Sequence, residues 1–282
     1  MFLARQSDVT RRDLLQLGAL SGLATVLLPS LLGESAKASQ IPCNDRPTDP
    51  SLAFNALLRG NGRWAKGEQK HPGEGQEIRQ CLANNSQTPF AAILACVDSR
   101  VPPELIFDRG LGDLFTARVA GNSVVPILED SLRYGTENLG ALVLLVLGHS
   151  DCGAVKAAVQ FYLRNAEHFP FEADFPEASS GEFEGSLQAG FDWSIFPRPE
   201  FAFIPPILPA VRVARKIVKE EGGDPNDPAQ VTPVAIDQHV ILTAQKLSSR
   251  QPFKDLVNKN KLLVTGGRYD LNNQLVTMLL PS

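Results

Sequence analysis

Two short segments hold the residue types that could do chemistry. "CVDSR" carries Cys96, Asp98 and Arg100, and "GHSDCG" carries His149 and Cys152. Taken singly, each has an ordinary explanation. A cysteine in an apolar run is most often an inert core residue, and Asp98 with Arg100 reads as a surface ion pair. A lone histidine at a strand end is usually satisfied by a neighbour, and Cys152 alone fits a thiol whose pKa a helix N-terminus lowers. Together the two segments offer two thiolates, one imidazole and one carboxylate. Zn2+ takes four such donors tetrahedrally, and catalytic sites keep three protein ligands and leave the fourth position open. Thiolates also select against Mg2+ and Ca2+. The expected site is one zinc ion per chain on Cys96, His149 and Cys152. Asp98 is then either a fourth ligand that closes the site, or a carboxylate that Arg100 holds by a bidentate pair.

These residues must be positioned by strands and helices. Asp49 to Lys66 has apolar residues at helical spacing, with Asp49 as cap and Pro50 at the first position. It breaks into the loop "GEQKHPGEG". Phe90 to Val97 is a short apolar run that reads as a buried strand, and Leu114 to Val119 as a second, ending at Gly121. "EDSLRYGTENLG" is helical and stops at Gly140. "ALVLLVLGH" is the strongest strand pattern in the chain, followed at once by the helix "CGAVKAAVQFYLRNAEHF". Helices are expected at Pro206 to Glu221 and Ala235 to Leu247, a strand at Lys261 to Gly267, and a last strand at Leu275 to Leu280. Continuous apolar strands alternating with helices predict an α/β fold, with a mainly parallel central sheet of four to five strands covered by helices. Ligands bind such sheets at the carboxyl ends of strands, where both chemical segments fall.

Composition narrows the classes further. The chain has 282 residues, 43% hydrophobic and 21% charged, with a formal net charge of -4. A mildly acidic chain without a basic block argues against nucleic acid as a partner. Residues 1–38 differ from the rest: Arg11 and Arg12 precede an apolar segment from Leu14 to Leu32, and Ala36-Lys37-Ala38 follows. That is the layout of a cleaved export signal of the twin-arginine type. Gly18, Gly22 and Pro29 interrupt the apolar segment and argue against a stable membrane span. The expectation is export to a periplasm or, in a photosynthetic source, a thylakoid lumen. Residues 39–282 then form one domain, with an aromatic and acidic loop insertion at 168–203. Export permits disulfides, and Cys43 with Cys81 could pair or remain two thiols.

The segments "CVDSRVPPELIF", "GDLFTARVAGN", "SLRYGTENLG", "LLVLGHSDCGAVKAA" and "GGRYDL" resemble the β-class carbonic anhydrases, over roughly residues 50–165 and 205–280. The resemblance implies reversible hydration of CO2 to bicarbonate on zinc held by Cys96, His149 and Cys152, with Asp98 and Arg100 as a catalytic dyad. It implies substrate contact by Gln87, an apolar pocket with Phe115, Val124 and Tyr134, and at least a homodimer that shares this pocket. The Gly153 amide, opening a helix, suits an anionic product. Two thiolate ligands leave a bound water less acidic than three imidazoles would, so activity is expected to rise into alkaline pH. His71, His168 and His239 are the proton-shuttle candidates. Val119 stands where the family commonly has Asn, and Ile93 and Ala95 stand where members with an inhibitory bicarbonate pocket carry Trp and Gly. Three other readings remain open: CS2 or carbonyl sulfide hydrolysis on the same scaffold, a non-catalytic zinc domain closed by Asp98, and a thiol redox protein using Cys152.

Overall fold

The computed structural model describes Cys43, residues 45–166 and residues 199–280. The export segment expected at 1–38, His168 and most of the insertion expected at 168–203 lie outside the described residues. Five strands form one sheet in the order β2-β1-β3-β4-β5. β1 (Ala91–Ala95), β2 (Leu114–Arg118), β3 (Val143–His149) and β4 (Leu263–Tyr269) are mutually parallel, and β5 (Val276–Met278) returns antiparallel along β4. The α/β architecture expected from the apolar pattern is the one observed.

Every residue of β1 and β3 is buried, as central parallel strands with helices on both faces require. Side chains alternate between two cores. Ala91, Ile93 and Ala95, with Val143, Leu145 and Leu147, meet α1 (Pro50–Lys66), α5 (Gly153–Arg164) and α6 (Leu208–Glu220). Ala92 and Leu94, with Leu144 and Val146, meet α4 (Pro126–Arg133) and α8 (Phe253–Asn258). The long α7 (Pro228–Ser249) serves both, Val231 and Ile236 in the first core and Val240 and Leu247 in the second. Burying each such aliphatic side chain contributes about 1.5–3 kcal/mol before entropy is counted.

α7 begins seven residues earlier than its expected start at Ala235. Pro233 reads as a breaker, yet the helix is nucleated upstream by the Asp227 cap, which accepts from the Ala229 N–H at 2.8 Å, and by Pro228 at the first position. Helices α2 (Gln76–Asn84) and α3 (Pro103–Ile106) are further additions to the expected set, as is α8. α2 buries none of its residues, so it leaves no apolar stripe in the sequence.

α2 is tied down covalently. Cys81, on this helix, forms a disulfide with Cys43, 38 residues away in sequence. Loop-closure entropy for that span corresponds to about 4 kcal/mol. With no buried residue on α2, the expected effect of Cys81→Ser is local. Hydrogen exchange of the α2 amides should accelerate strongly while β3 amides stay protected; equal loss in both would show that the bridge holds the whole fold.

α1 lies closely over the turn that follows α3. A Cβ on Gly60 would stand 1.7 Å from the Phe107 carbonyl oxygen. Next to it, the Asn61 side chain donates to the Ile106 and Gln274 carbonyls and accepts from the Val276 N–H at 2.8 Å, tying α1 to α3 and β5. Gly60→Ala forces the backbones apart, and a loss of about 3 kcal/mol in chemical denaturation is expected.

Candidate metal centre

β1 and β3 are hydrogen-bonded neighbours, with Ala95 opposite Leu147. This register carries Cys96 to the level of Gly148, one residue short of His149. Cys152 follows on the turn that opens α5. The three ligand atoms lie within 4.8 Å of one another, and all three residues are buried. Tetrahedral zinc with these donors needs them roughly 3.5–3.8 Å apart, by the usual bond lengths.

Each donor is prepared for a cation. His149 Nδ1 lies 2.9 Å from the Ser150 carbonyl oxygen. A carbonyl only accepts, so Nδ1 carries the proton and Nε2 presents its lone pair. That Nε2 is buried and has no hydrogen-bond partner among the described residues. Such an orphaned acceptor beside two free thiols fits a soft divalent metal. The Cys96 thiol is held down, chiefly by the hydrogen bond from Cys152 and further by the Asp98 and Gly121 amides, against burial. Cys152 is pushed up by that same partner and by burial, while the Ala154 and Val155 amides at the α5 N-terminus oppose this. These opposed shifts favour a thiolate at Cys96 beside a thiol at Cys152, whose proton a bound cation would displace.

Asp98 stands beside this cluster, its Oδ2 3.9 Å from His149 Nε2. Arg100 clamps it: Nε donates to Oδ1 at 2.9 Å, a terminal guanidinium nitrogen to Oδ2 at 2.7 Å, and the Arg100 N–H to Oδ1 at 2.9 Å. These hydrogen bonds from Arg100 hold the Asp98 carboxyl down to about 2, against partial burial.

Sequence reasoning missed the residues that fix this turn. Arg118, at the end of β2, donates to the Cys96 carbonyl at 2.8 Å and the Asp98 carbonyl at 2.7 Å. The Gly121 N–H donates to Cys96 Sγ at 3.3 Å. Gly121 has φ of 69°, and a Cβ there would stand 2.8 Å from Ile207 Cδ1, so only glycine delivers that amide without strain. Asp151 pairs with Lys156 and approaches Arg100 at 3.5 Å. All four lie within segments that carry the family resemblance, but the contacts of Arg118 and Gly121 with the Cys96 turn cross 20 to 25 residues of sequence and leave no local pattern.

The remaining candidates separate. Gly153 is the first residue of α5, adjoining Cys152. Phe115, Val124 and Tyr134 gather around α4, with the Phe115 and Tyr134 ring centroids 6.3 Å apart. Gln87 is exposed and lies before the amino end of β1, whereas Cys96 follows its carboxyl end, so one chain does not bring the two together. Of the shuttle candidates, His239 is corrected outright. It is buried, its Nε2 donates to the Gly121 carbonyl at 2.8 Å, and burial holds its pKa down to about 4, so it stays neutral and away from solvent. His71 is exposed and paired with Glu74 at 3.3 Å, in the loop that Asp108 anchors.

Comparison with known proteins bears on the same residues. A curated relative, carbonic anhydrase 2 of Mycobacterium tuberculosis, is 43% identical over 112 residues, covering 40% of this chain and 54% of the relative. A carbonic anhydrase of Mycolicibacterium smegmatis is 41% identical over 112 residues, again 40% and 54%. The chain thus spans about half the length of the curated relatives it matches. A solved tetrameric β-carbonic anhydrase of Sordaria macrospora has a similar fold, with a TM-score of 0.52 at 19% identity, over 81% of this chain and 97% of that one. The family model described as "Carbonic anhydrase" matches residues 91–172, a span that contains Cys96, Asp98, Arg100, His149 and Cys152.

Proposed function

We propose that this chain is a β-class carbonic anhydrase that reversibly hydrates CO2 to bicarbonate, with Cys96, His149 and Cys152 holding a zinc ion. The observation that carries the reading is the buried cluster of three donors with an arginine-clamped carboxylate at its side. When bound, zinc supplies the Lewis acidity that makes water a nucleophile near neutral pH, the established behaviour of carbonic anhydrases.

The protein's own groups do the rest. Asp98, ionised at every working pH, can only accept a hydrogen bond. It takes one from the attacking water and so points the oxygen lone pair at CO2. Arg100 keeps the carboxylate in that orientation, and Arg118 fixes the turn that carries both. The Gly121 amide supports the Cys96 thiolate. Gln87 serves the site of a second copy, since it lies at the other end of β1 from its own cluster; the reading therefore includes a homodimer or larger homo-oligomer. The Sordaria macrospora relative in fold is tetrameric.

Export to an oxidising compartment belongs to the same proposal. The Cys43–Cys81 bridge supports it, since such bonds persist outside the reducing cytosol. Among the described residues no helix is long and apolar enough to cross a membrane. The deciding experiment is stopped-flow CO2 hydration from about pH 6.5 to 9, bracketing the expected bound-water pKa, with metal measured on the same sample. One zinc per chain and a rate rising with pH are expected; a zinc-replete oligomer with no rate above buffer would overturn the proposal.

A further inference from the structure

A cleft adjoins the metal centre without using any of its ligands. The carboxyl ends of β3 and β4, the start of α5 and the first half of α7 line it, leaving a volume of about 430 Å3 that opens to solvent. That size lies within the range of small-molecule pockets. Pro233 and Ile236 give it an apolar wall, and Ser150, Lys156 and Arg268 give it a polar one.

The polar side carries two cations, each held by a carboxylate. One terminal nitrogen of Arg268 donates to both carboxylate oxygens of Asp237, at 2.8 and 2.7 Å, which holds the guanidinium in place. Its Nε is buried and has no hydrogen-bond partner among the described residues. Ser150 Oγ accepts from the Leu271 N–H at 2.9 Å, which leaves its own O–H to donate. Asp151 is the one acid in the lining, and it is already shared between Lys156 and Arg100. Each cation of the cleft has a carboxylate partner, Lys156 on Asp151 and Arg268 on Asp237, so an incoming carboxylate would share or displace these partners.

We propose that the cleft binds a small organic anion bearing one or two carboxylates, drawn to Arg268 and Lys156 with its hydrocarbon part against Pro233 and Ile236. The proposal goes beyond the carbonic anhydrase reading and does not depend on it, because binding is measured without activity.

The test is calorimetric titration of the zinc-loaded full chain with succinate, with saturating azide present to occupy the metal. Succinamide, neutral and of similar shape, is the control. One saturable succinate site is expected, with no binding of succinamide. Lys156→Gln should weaken succinate roughly tenfold or more, as loss of a charge-assisted contact does. The double variant Arg268→Gln/Asp237→Asn keeps a hydrogen-bonded neutral pair in place of the ion pair, and should weaken it at least as much. Absence of saturable binding, abolition of binding by azide, equal binding of succinamide, or unchanged affinity in both variants would each overturn the proposal.

Discussion

Replacing Cys152 with serine is expected to remove zinc and CO2 hydration together. The thiolate sits at the opening of α5, where the Ala154 and Val155 amides face its sulfur, and a serine hydroxyl at that place stays protonated. Loss of a group that merely orients a metal ligand costs roughly 10–100-fold in affinity, and loss of a ligand must cost more. Zinc content after dialysis and the hydration rate should therefore fall in parallel, the rate by more than about a hundredfold. Metal analysis and stopped-flow measurement of one preparation check this. A Cys152→Ser protein that keeps both its zinc and its rate would remove Cys152 from the ligand set. A protein that keeps zinc in full but loses thiol–disulfide exchange activity would favour the redox reading instead.

Asp98→Asn should separate catalysis from metal binding. The amide is isosteric and can still face Arg100, but it offers one acceptor and one donor where the carboxylate offers two acceptors. Zinc content is expected to remain at one per chain while the hydration rate falls by roughly 10²–10⁴-fold, the usual scale for a positioned proton acceptor. A large loss of zinc in this variant would make Asp98 a permanent ligand and favour a closed, non-catalytic site.

The pH dependence of that variant has a definite sign. The carboxyl is held down to about 2 by Arg100. A depressed folded-state pKa contributes stability above the unfolded value, near 3.9, and that stability is lost as pH falls through the folded value. The difference in stability between wild type and Asp98→Asn should thus be constant from neutral pH down to about 5 and shrink between about 4 and 2. Equilibrium denaturation at a series of pH values measures it. The alkaline rise in the hydration rate should have no contribution from Asp98, which is fully ionised throughout that range.

Much of the fold was legible because local pattern and burial coincide. β1 and β3 are buried at every residue, so they appear as unbroken apolar runs. α1 is announced by Asp49 and Pro50. What escaped carries no such stripe: α2 buries nothing, α3 and α8 are single short turns, and Pro233 conceals the true start of α7. The pairing of Cys43 with Cys81 was undecidable for the same reason, since nothing apolar marks where α2 packs.

By itself the sequence determined the donor types of the site and their place after two strands. Thiolate, imidazole and carboxylate chemistry belongs to the residues themselves, and the H-x-x-C spacing is short enough for one turn to hold. Only the tertiary structure decided that β1 and β3 are neighbours in a register that levels Cys96 with Gly148. It also placed Arg118 and Gly121 on Cys96 and withdrew His239 from solvent. Strand order and cross-element hydrogen bonds arise from how whole faces pack, and hydrophobic pattern along one strand carries no information about which strand will lie beside it.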